Sequence, residues 1–588
     1  MNAEQIQRAH QSMLQGNYGQ ARQLLEGASD PTSLHLRALV EKRAGDDTSA
    51  LSWFDQALSL DANNPEIHNN KGLSLRNLSR FEEAKHHFET ALRLRPNYTS
   101  ASISLARTCI SLRLFDAACR ILEVARRYDP KSLNLELAIA RTHISARRYP
   151  IALQAALRAR ALNPEHPMVR YEYASALLET GQTQAACDEL EHLVQRPDVQ
   201  PGMLYLYARS LLQLGRLAEC LSVARRAHAL QPSSETLTLL AEVSWMQNDQ
   251  DGFAEFLAGT ESIPELALTA INLLRAAEQP EQAANYYSST PLDFQASDVG
   301  RAAHCAVLTA NGDLDRAVTV GRGISSAFPP SENGAFVSAL LRNGRPEEAL
   351  GHIELARRDD PESQFWLGYE ALALRLLGDP RYSKLVDCEQ YVRAFKLTPP
   401  PGYSDIGAFN RDLFQCLTDL QVFETHPLNQ SFRGGTQAPV NLAAVENPVI
   451  AAYFKALDGP IRSYMQAIGN SPDHPTTARN TGNYQIAGSW TIALKSGGHH
   501  VNHVHPRGWI SSAYYVKVPS DVGPGEDRQG WIKFMEAPFE LDPPLMPEKW
   551  VSPEEGTLVL FPSFYWHGTQ PFTGQELRVT APFDVVPV

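Results

Sequence analysis

Two stretches near the C-terminus decide the fold of that part of the chain: NHVHP at residues 502–506 and WHGTQPF at residues 566–572. Between them lie three apolar runs, ISSAYYVKV (510–518), WIKFM (531–535) and GTLVLF (556–561), separated by Gly, Pro and Asp. Apolar runs of this length, bounded by turn residues, are typical of β-strands. The sequence therefore predicts an antiparallel β-barrel or jelly roll in this region.

The histidines of these stretches have the spacing of a metal site. His503 and His505 are separated by one residue, and His567 follows sixty-four residues after His503. A mononuclear iron(II) site needs two neighbouring ligands, a third ligand from a distant strand, and open positions for oxygen and a cosubstrate. We therefore expect these three side chains to bind one metal ion. Other histidines near Gly or Pro are expected to lie outside it: His426, His474, His499 and His500.

An anion contact is predicted eleven residues after His567. Arg578 and Thr580 stand two residues apart in the alternating run RVTAPFDV. Residues i and i+2 of a strand share a face. An inward-facing arginine beside an inward-facing hydroxyl can hold a carboxylate through charge-assisted hydrogen bonds. This pair fits the distal carboxylate of 2-oxoglutarate.

From about residue 426 to residue 588 the chain resembles the iron(II)- and 2-oxoglutarate-dependent oxygenases, in the branch often fused to tetratricopeptide repeats. The matching stretches are HPLNQSFRGGTQ (426–437), SWTIALKSGGHHVNHVHPRGWISSAYYVKVP (489–519) and GTLVLFPSFYWHGTQPF (556–572). The resemblance implies a double-stranded β-helix, also called a jelly roll. It also implies that His503 and His567 bind Fe(II), and that Arg578 and Thr580 bind 2-oxoglutarate. One tyrosine of the pair Tyr514 and Tyr515, which we take to be Tyr515, reaches the same carboxylate.

The chain departs from the family pattern at one ligand. The usual triad is His-x-Asp/Glu with a distal His, and here His505 occupies the acidic position. Three arrangements are open, in this order of preference: a three-histidine site, a two-histidine site completed by water, and a halogenase-like site that accepts chloride. A neutral third ligand leaves the metal centre more positive by one unit than a carboxylate would. Hydroxylation is favoured over chlorination because His505 fills the space that a halide needs.

The chain before residue 400 has an internal period of thirty-four residues. Small residues recur at that step: Ala84, Ala118, Ala152, Ala186 and Cys220. Segments such as NLSRFEEAKHHFETALRLRPNY (77–98) resemble the tetratricopeptide repeat, whose period this is. The pattern blurs around residues 235–297, and TPPPG marks a linker near residue 400. We therefore predict a multidomain α plus β protein, with a tetratricopeptide α-solenoid over 1–400 and an oxygenase-like jelly roll over 401–588.

A solenoid of this kind exposes a long groove that usually holds peptides. The alternative is that the helices serve only as a dimerisation surface or a rigid spacer. A homodimer is compatible with the sequence. The net charge of −13 argues against nucleic-acid binding, and no run of eighteen apolar residues indicates a membrane span. Seven cysteines without CxxC spacing are typical of reduced packing residues. We expect a cytoplasmic location.

These observations predict a hydroxylase that uses Fe(II) and 2-oxoglutarate and acts on a protein or peptide recruited by the repeats. We expect no catalytic side chain beyond the metal centre. Candidate substrate contacts lie in the matching segments or beside the ligand strand: Arg433, Trp490, Arg507 and Trp509. Two rival functions remain. One is a non-catalytic repeat scaffold with a degenerate oxygenase domain, and the other is an oxygenase of a small molecule.

Overall fold

The computed structural model describes residues 1–423, 426–428, 430–438, 440–523 and 525–588. The chain forms two compact units, Met1–Arg196 and Pro197–Val588. Among the described helices, none combines the length and the apolar character that a bilayer-spanning segment requires.

The first unit is built from helical hairpins. Its helices are α1 (Ala3–Leu14), α2 (Tyr18–Leu24), α3 (Pro31–Arg43), α4 (Asp47–Leu60), α5 (Pro65–Asn77), α6 (Phe81–Leu94), α7 (Thr99–Ser111), α8 (Phe115–Tyr128), α9 (Leu133–Ser145), α10 (Tyr149–Leu162), α11 (Pro167–Glu179) and α12 (Thr183–Val194). The predicted tetratricopeptide-like fold is confirmed here. The small residues of the thirty-four-residue period, such as Ala84 and Ala118, are completely buried. Their lack of bulk lets neighbouring helices approach closely.

The turn inside each hairpin explains the same period. Gly45, Ser79, Arg113, Arg147 and Gly181 follow at thirty-four-residue steps, and all have a positive φ. At Arg113 the amide of the next residue, Leu114, donates to the carbonyl of Cys109 at 2.8 Å and closes the end of α7. Such a left-handed residue after the last helical turn is a common way to end a helix.

The second unit contains further helices and all the strands among the described residues. Its helices are α13 (Pro201–Gln213), α14 (Leu217–Leu230), α15 (Ser234–Met246), α16 (Gln250–Leu257), α17 (Pro264–Ala276), α18 (Pro280–Ser289), α19 (Leu292–Ala296), α20 (Asp298–Ala310), α21 (Leu314–Arg322), α22 (Gly334–Arg342), α23 (Pro346–Asp359), α24 (Gln364–Leu377), α25 (Arg381–Leu385), α26 (Cys388–Tyr391), α27 (Ile406–Asp419) and α28 (Pro448–Ile468).

The region where the sequence period blurs, residues 235–297, is still helical. Its second helices are short, since α16 has 8 residues and α18 has 10, compared with 14 in α14. The shorter helices account for the lost thirty-four-residue step.

The strands form two antiparallel sheets. They are β1 (Arg393–Lys396), β2 (Phe432–Gln437), β3 (Tyr484–Ser489), β4 (Ile492–His500), β5 (Ile510–Lys517), β6 (Ile532–Phe534), β7 (Lys549–Val551), β8 (Thr557–Pro562), β9 (His567–Thr569), β10 (Arg578–Thr580) and β11 (Phe583–Pro587). One sheet has the order β1-β8-β5-β10-β4-β2, with β11 pairing β3 and β5, and the other has the order β7-β6-β9. This is the predicted jelly-roll class.

Two details differ from the sequence expectations. The run RVTAPFDV forms two strands, β10 and β11, because Pro582 has no amide hydrogen to continue the ladder. In addition, β1 pairs with β8 although it precedes residue 400, so the sheet begins before the predicted linker. The predicted boundary at residue 400 therefore lies inside the second unit.

One hydrophobic cluster of the second unit joins helices to strands. It contains residues of α22 and α24, such as Phe336 and Trp366, together with strand residues such as Tyr514, Phe561 and Val579. The last repeat helices and the sheets are therefore packed together and are not separated by a free linker.

Candidate metal centre

A pair of backbone hydrogen bonds places the two histidine stretches side by side. The amide of His503 donates to the carbonyl of His567 at 2.9 Å, and the amide of His567 donates to the carbonyl of His503 at 3.0 Å. This reciprocal pair forms an isolated antiparallel bridge between the loop after β4 and the start of β9. Residues that are distant in sequence are thus held opposite each other.

Three imidazoles converge at this bridge. One nitrogen from each of His503, His505 and His567 lies within 4.8 Å of the others. The ring centroids of His503 and His567 are 4.2 Å apart, and the Nε2 atoms of His503 and His505 are 3.3 Å apart. This group could hold a metal ion, as the sequence spacing predicted.

The outward nitrogen of each ring has its own acceptor. The Nδ1 atoms of His503 and His567 donate to the carbonyls of Val501 and Tyr565, each at 2.9 Å. The Nδ1 atom of His505 donates to the carboxylate of Asp584 at 2.6 Å. Because each neutral imidazole carries one proton, these bonds leave the Nε2 atoms unprotonated, with lone pairs that can bind a metal.

Burial keeps two of these rings neutral. Desolvation, reinforced by the neighbouring His505, lowers the pKa of His503 to about 3. Desolvation also lowers the pKa of His567 well below its usual value, and the nearby His503 acts in the same direction. Neutral imidazoles are the form that binds metal ions, so little proton release opposes binding near neutral pH.

A carboxylate lies next to one of the three histidines instead of among the ligands. The histidine group contains no carboxylate. Asp584 instead accepts hydrogen bonds from His505 and from the hydroxyl of Ser511, the latter at 2.7 Å. Its hydrogen bond fixes the ring of His505 and places a negative charge behind it. The sequence carried a signal for this residue, because Asp584 keeps the even spacing from Arg578 and Thr580.

A polar group on the other side of the cluster was also missed by the sequence prediction. The hydroxyl of Ser431 lies 3.2 Å from Nε2 of His503 and 3.2 Å from Nδ1 of His500. The ring of His500 stacks on that of His503, with centroids 5.7 Å apart, and both rings line one cavity, which is described below. His500 was expected to lie outside the metal ligands, and it is not one of the three histidines that could hold a metal ion, although it forms part of the wall. His499 bonds locally to Gly497.

Arg578 is buried, and none of the described residues gives it a counter-ion. Only 2% of its surface is exposed, and its Nε atom has no hydrogen-bond partner. Burial lowers the pKa of Arg578, the neighbouring Tyr515 acts in the opposite direction, and no described carboxylate does so. A buried, unpaired charge is costly, so the site is complementary to an anion. A carboxylate of 2-oxoglutarate fits this requirement.

The neighbours of Arg578 fit the same ligand. Its guanidinium carbon lies 5.2 Å from the centroid of the Tyr515 ring. The buried hydroxyl of Tyr515 interacts with this guanidinium, and its own proton has no acceptor among the described residues. The hydroxyl of Tyr514, in contrast, donates to Asn410 at 2.7 Å on the other side of β5. This geometry favours Tyr515 over Tyr514 as a contact of the anion.

One cavity of about 590 Å³ connects these groups. Its wall includes the three histidines, Arg578, Thr580, and the apolar side chains of Ile492, Ile532 and Phe561. Arg578 and Thr580, at positions i and i+2 of β10, therefore face the same cavity as the three histidines.

The four candidate substrate contacts are divided by the structure. Trp490 and Arg507 line the cavity, and the ring of Trp490 lies 5.6 Å from that of His505. Trp509 is completely buried and donates to the carbonyl of Thr476, so it is a core residue and not a substrate contact, contrary to our expectation. The guanidinium of Arg433 is likewise engaged elsewhere, in an ion pair with Glu278 at 2.6 Å.

Comparisons with known proteins agree with a helical-repeat part and a sheet part of the chain. Residues 488–584 match the family described as "Putative 2OG-Fe(II) oxygenase". Residues 65–98 match the tetratricopeptide repeat, and residues 145–227 match the family of anaphase-promoting complex, cyclosome, subunit 3. No curated protein matches the chain.

Solved structures similar to the chain include tetratricopeptide-repeat proteins. One from Parabacteroides merdae is 16% identical, covers 39% of this chain and 92% of its own, and has a TM-score of 0.35. A thermophilic protein of Thermus thermophilus is 20% identical, covers 33% and 98%, and has a TM-score of 0.27. MamA of Desulfovibrio magneticus is 18% identical, covers 28% and 93%, and has a TM-score of 0.26.

The position of Asp584 predicts an effect on metal binding. Asp584→Asn should weaken Fe(II) affinity by about 10- to 100-fold, because the amide no longer accepts the His505 proton as a charged group. Titration of the protein with Fe(II) under anaerobic conditions measures this change. Asp521→Asn removes an equal charge from an exposed position and should leave the affinity unchanged. Equal affinities of both variants and the wild type would contradict the role of Asp584.

Proposed function

We propose that the chain is an iron(II)- and 2-oxoglutarate-dependent dioxygenase that hydroxylates a protein or peptide substrate recruited by its helical repeats. One observation carries the proposal: three imidazoles with unprotonated Nε2 atoms line the same cavity as a buried guanidinium that faces no described carboxylate. The family match over residues 488–584 supports the class of reaction. The tetratricopeptide repeats support an interaction role for the helices.

Among the three possible ligand arrangements, the geometry favours the three-histidine centre. The Nε2 atom of His505 lies 3.3 Å from that of His503, and Asp584 holds the ring of His505 in this orientation. A ring in this place leaves the halogenase-like alternative little room. The proposed ligands of Fe(II) are therefore His503, His505 and His567.

The cosubstrate is proposed to lie between this centre and β10. When bound, Fe(II) and 2-oxoglutarate supply the oxidative decarboxylation that activates dioxygen for hydroxylation. Arg578 and Thr580 hold the distal carboxylate, and Tyr515 donates its free hydroxyl to the same group. The guanidinium thereby gains the counter-ion that its burial demands, and the cosubstrate gains one fixed orientation.

The remaining wall residues exclude water and select the substrate. Ile492, Ile532 and Phe561 present apolar surface to the cavity. Trp490 and Arg507 lie on its wall near the histidines, where they can contact the group to be oxidised. A cation and an aromatic ring on the wall of one cavity favour a substrate that carries an acidic or planar group near its reactive carbon.

An anaerobic titration tests the metal and the cosubstrate together. Adding Fe(II) and 2-oxoglutarate to the wild type should produce the weak visible charge-transfer band of the chelate. His503→Ala, His505→Ala and His567→Ala should each abolish the band, because each removes one ligand. A band that survives in His505→Ala would establish a two-histidine centre, and no band in the wild type would favour a non-catalytic scaffold.

The same titration tests the anchor of the cosubstrate. Arg578→Ala should weaken 2-oxoglutarate binding by about 2–5 kcal/mol, because a desolvated charge pair loses one partner. Arg507→Ala is a matched control, since it removes an arginine from the same cavity wall without touching β10. Unchanged 2-oxoglutarate affinity in Arg578→Ala would contradict the assignment.

The nature of the substrate is tested by isotope transfer. Full-length protein is incubated with Fe(II), 2-oxoglutarate, a complex peptide mixture and isotopically labelled dioxygen, and the products are analysed by mass spectrometry. We expect labelled hydroxyl groups on a recurring peptide motif with the wild type and none with His503→Ala. Succinate formation without labelled peptides would favour a small-molecule substrate.

A further inference from the structure

Helix α24 (Gln364–Leu377) contacts both stretches that carry the histidines of the metal centre. The indole nitrogen of Trp566, the residue before ligand His567, donates to the carbonyl of Gly368 at 2.8 Å. This bond spans almost two hundred residues of sequence. It ties one ligand stretch directly to the backbone of a repeat helix.

Gly368 also contacts the other ligand stretch. A Cβ atom added at Gly368 would lie 3.1 Å from Cγ1 of Val504, which stands between His503 and His505. The same atom would lie 3.1 Å from the indole nitrogen of Trp566 and 3.0 Å from the carbonyl oxygen of Phe564. Glycine at this position therefore lets the helix backbone lie against both ligand stretches at once, without steric overlap.

The next residue of the helix adds a second contact. The ring of Tyr369 packs edge-on against Trp566, with centroids 5.4 Å apart at an angle of 83°. Tyr369 is 7% exposed, and with Phe365 it also lines a separate cavity of about 560 Å³ among α17, α20, α22 and α24. Helix α24 thus lines a cavity between helices and also packs against the stretch that carries His567.

Trp566 has little freedom to adjust. Its carbonyl accepts a hydrogen bond from the amide of Met535 at 2.7 Å, and its side chain is 4% exposed. The next residue, His567, pairs with Phe534 of β6. A displacement of α24 would therefore be transmitted to the ligand backbone rather than absorbed by a loose side chain.

We propose that Gly368 and Tyr369 are positioning residues of the metal centre, which set the separation of the two histidine stretches through Val504 and Trp566. The inference rests on the metal centre of the proposed function. It assigns the repeat helix a part in metal binding in addition to its part in the repeat architecture.

The test compares two glycine substitutions within neighbouring helices. Gly368→Ala and Gly351→Ala both add one methyl group inside a helix, and at Gly351 nothing lies within 4 Å of the added atom. Fe(II) affinity and the charge-transfer band with 2-oxoglutarate are measured anaerobically for full-length proteins. We expect about a 10- to 100-fold loss of Fe(II) affinity and a shifted band in Gly368→Ala only.

Tyr369 supplies a second pair of variants should Gly368→Ala fail to fold. Tyr369→Phe keeps the ring edge against Trp566 and should retain the wild-type affinity and band, whereas Tyr369→Leu should lose affinity and shift the band. Lower thermal stability with unchanged Fe(II) affinity and band in Gly368→Ala and Tyr369→Leu would overturn the proposal. Absence of Fe(II) binding by the wild type would instead overturn the proposed function, so the two failures are distinguishable.

Discussion

The reciprocal backbone hydrogen bonds between His503 and His567 are the constraint on which the site depends. They fix two stretches that are far apart in sequence, and they also determine how each ring is held. The Nδ1 atoms of His503 and His567 both donate to the carbonyl two residues earlier, so the local backbone sets both ring orientations. For His505 that carbonyl belongs to His503, and the bridge already engages it. Asp584 accepts the hydrogen bond from His505 instead of that carbonyl, which gives a physical reason for a carboxylate at that position.

The displaced carboxylate changes the electrostatics of the centre without removing the negative charge from it. An acidic ligand would neutralise part of the metal charge by direct contact, whereas Asp584 acts through the imidazole of His505. Three imidazole donors also suit a different range of metals than a set that includes a hard carboxylate oxygen. The buried guanidinium of Arg578 is complementary to an anion, whereas the three imidazoles are complementary to a cation. The cavity therefore contains one region prepared for a cation and one region prepared for an anion.

The sequence predicted the features that have a local pattern. The thirty-four-residue step follows from repeated small residues and turns, and the placement of Arg578 and Thr580 on one cavity wall follows from strand alternation. The features that it missed have an interrupted pattern or none. Pro582 interrupts the alternating run before Asp584, so the shared face was not recognised. Trp509 was misassigned because closeness to the ligand stretch in sequence does not determine which side of the sheet a residue faces. The contact between Gly368 and Trp566 joins distant segments, which no single-sequence periodicity can reveal.

The shared core of the second unit limits how the helices and the sheets can work together. A flexible linker would let a bound partner search for the cavity at an effective concentration set by linker length. In this unit α24 packs directly on the sheets, and its neighbours α17, α20 and α22 line a cavity with it. A polypeptide held by these helices would approach the histidine cluster at a fixed distance and in a fixed direction. The choice of substrate would then depend on the spacing between the segment that is held and the residue that is oxidised. It would also depend on the side chains of both.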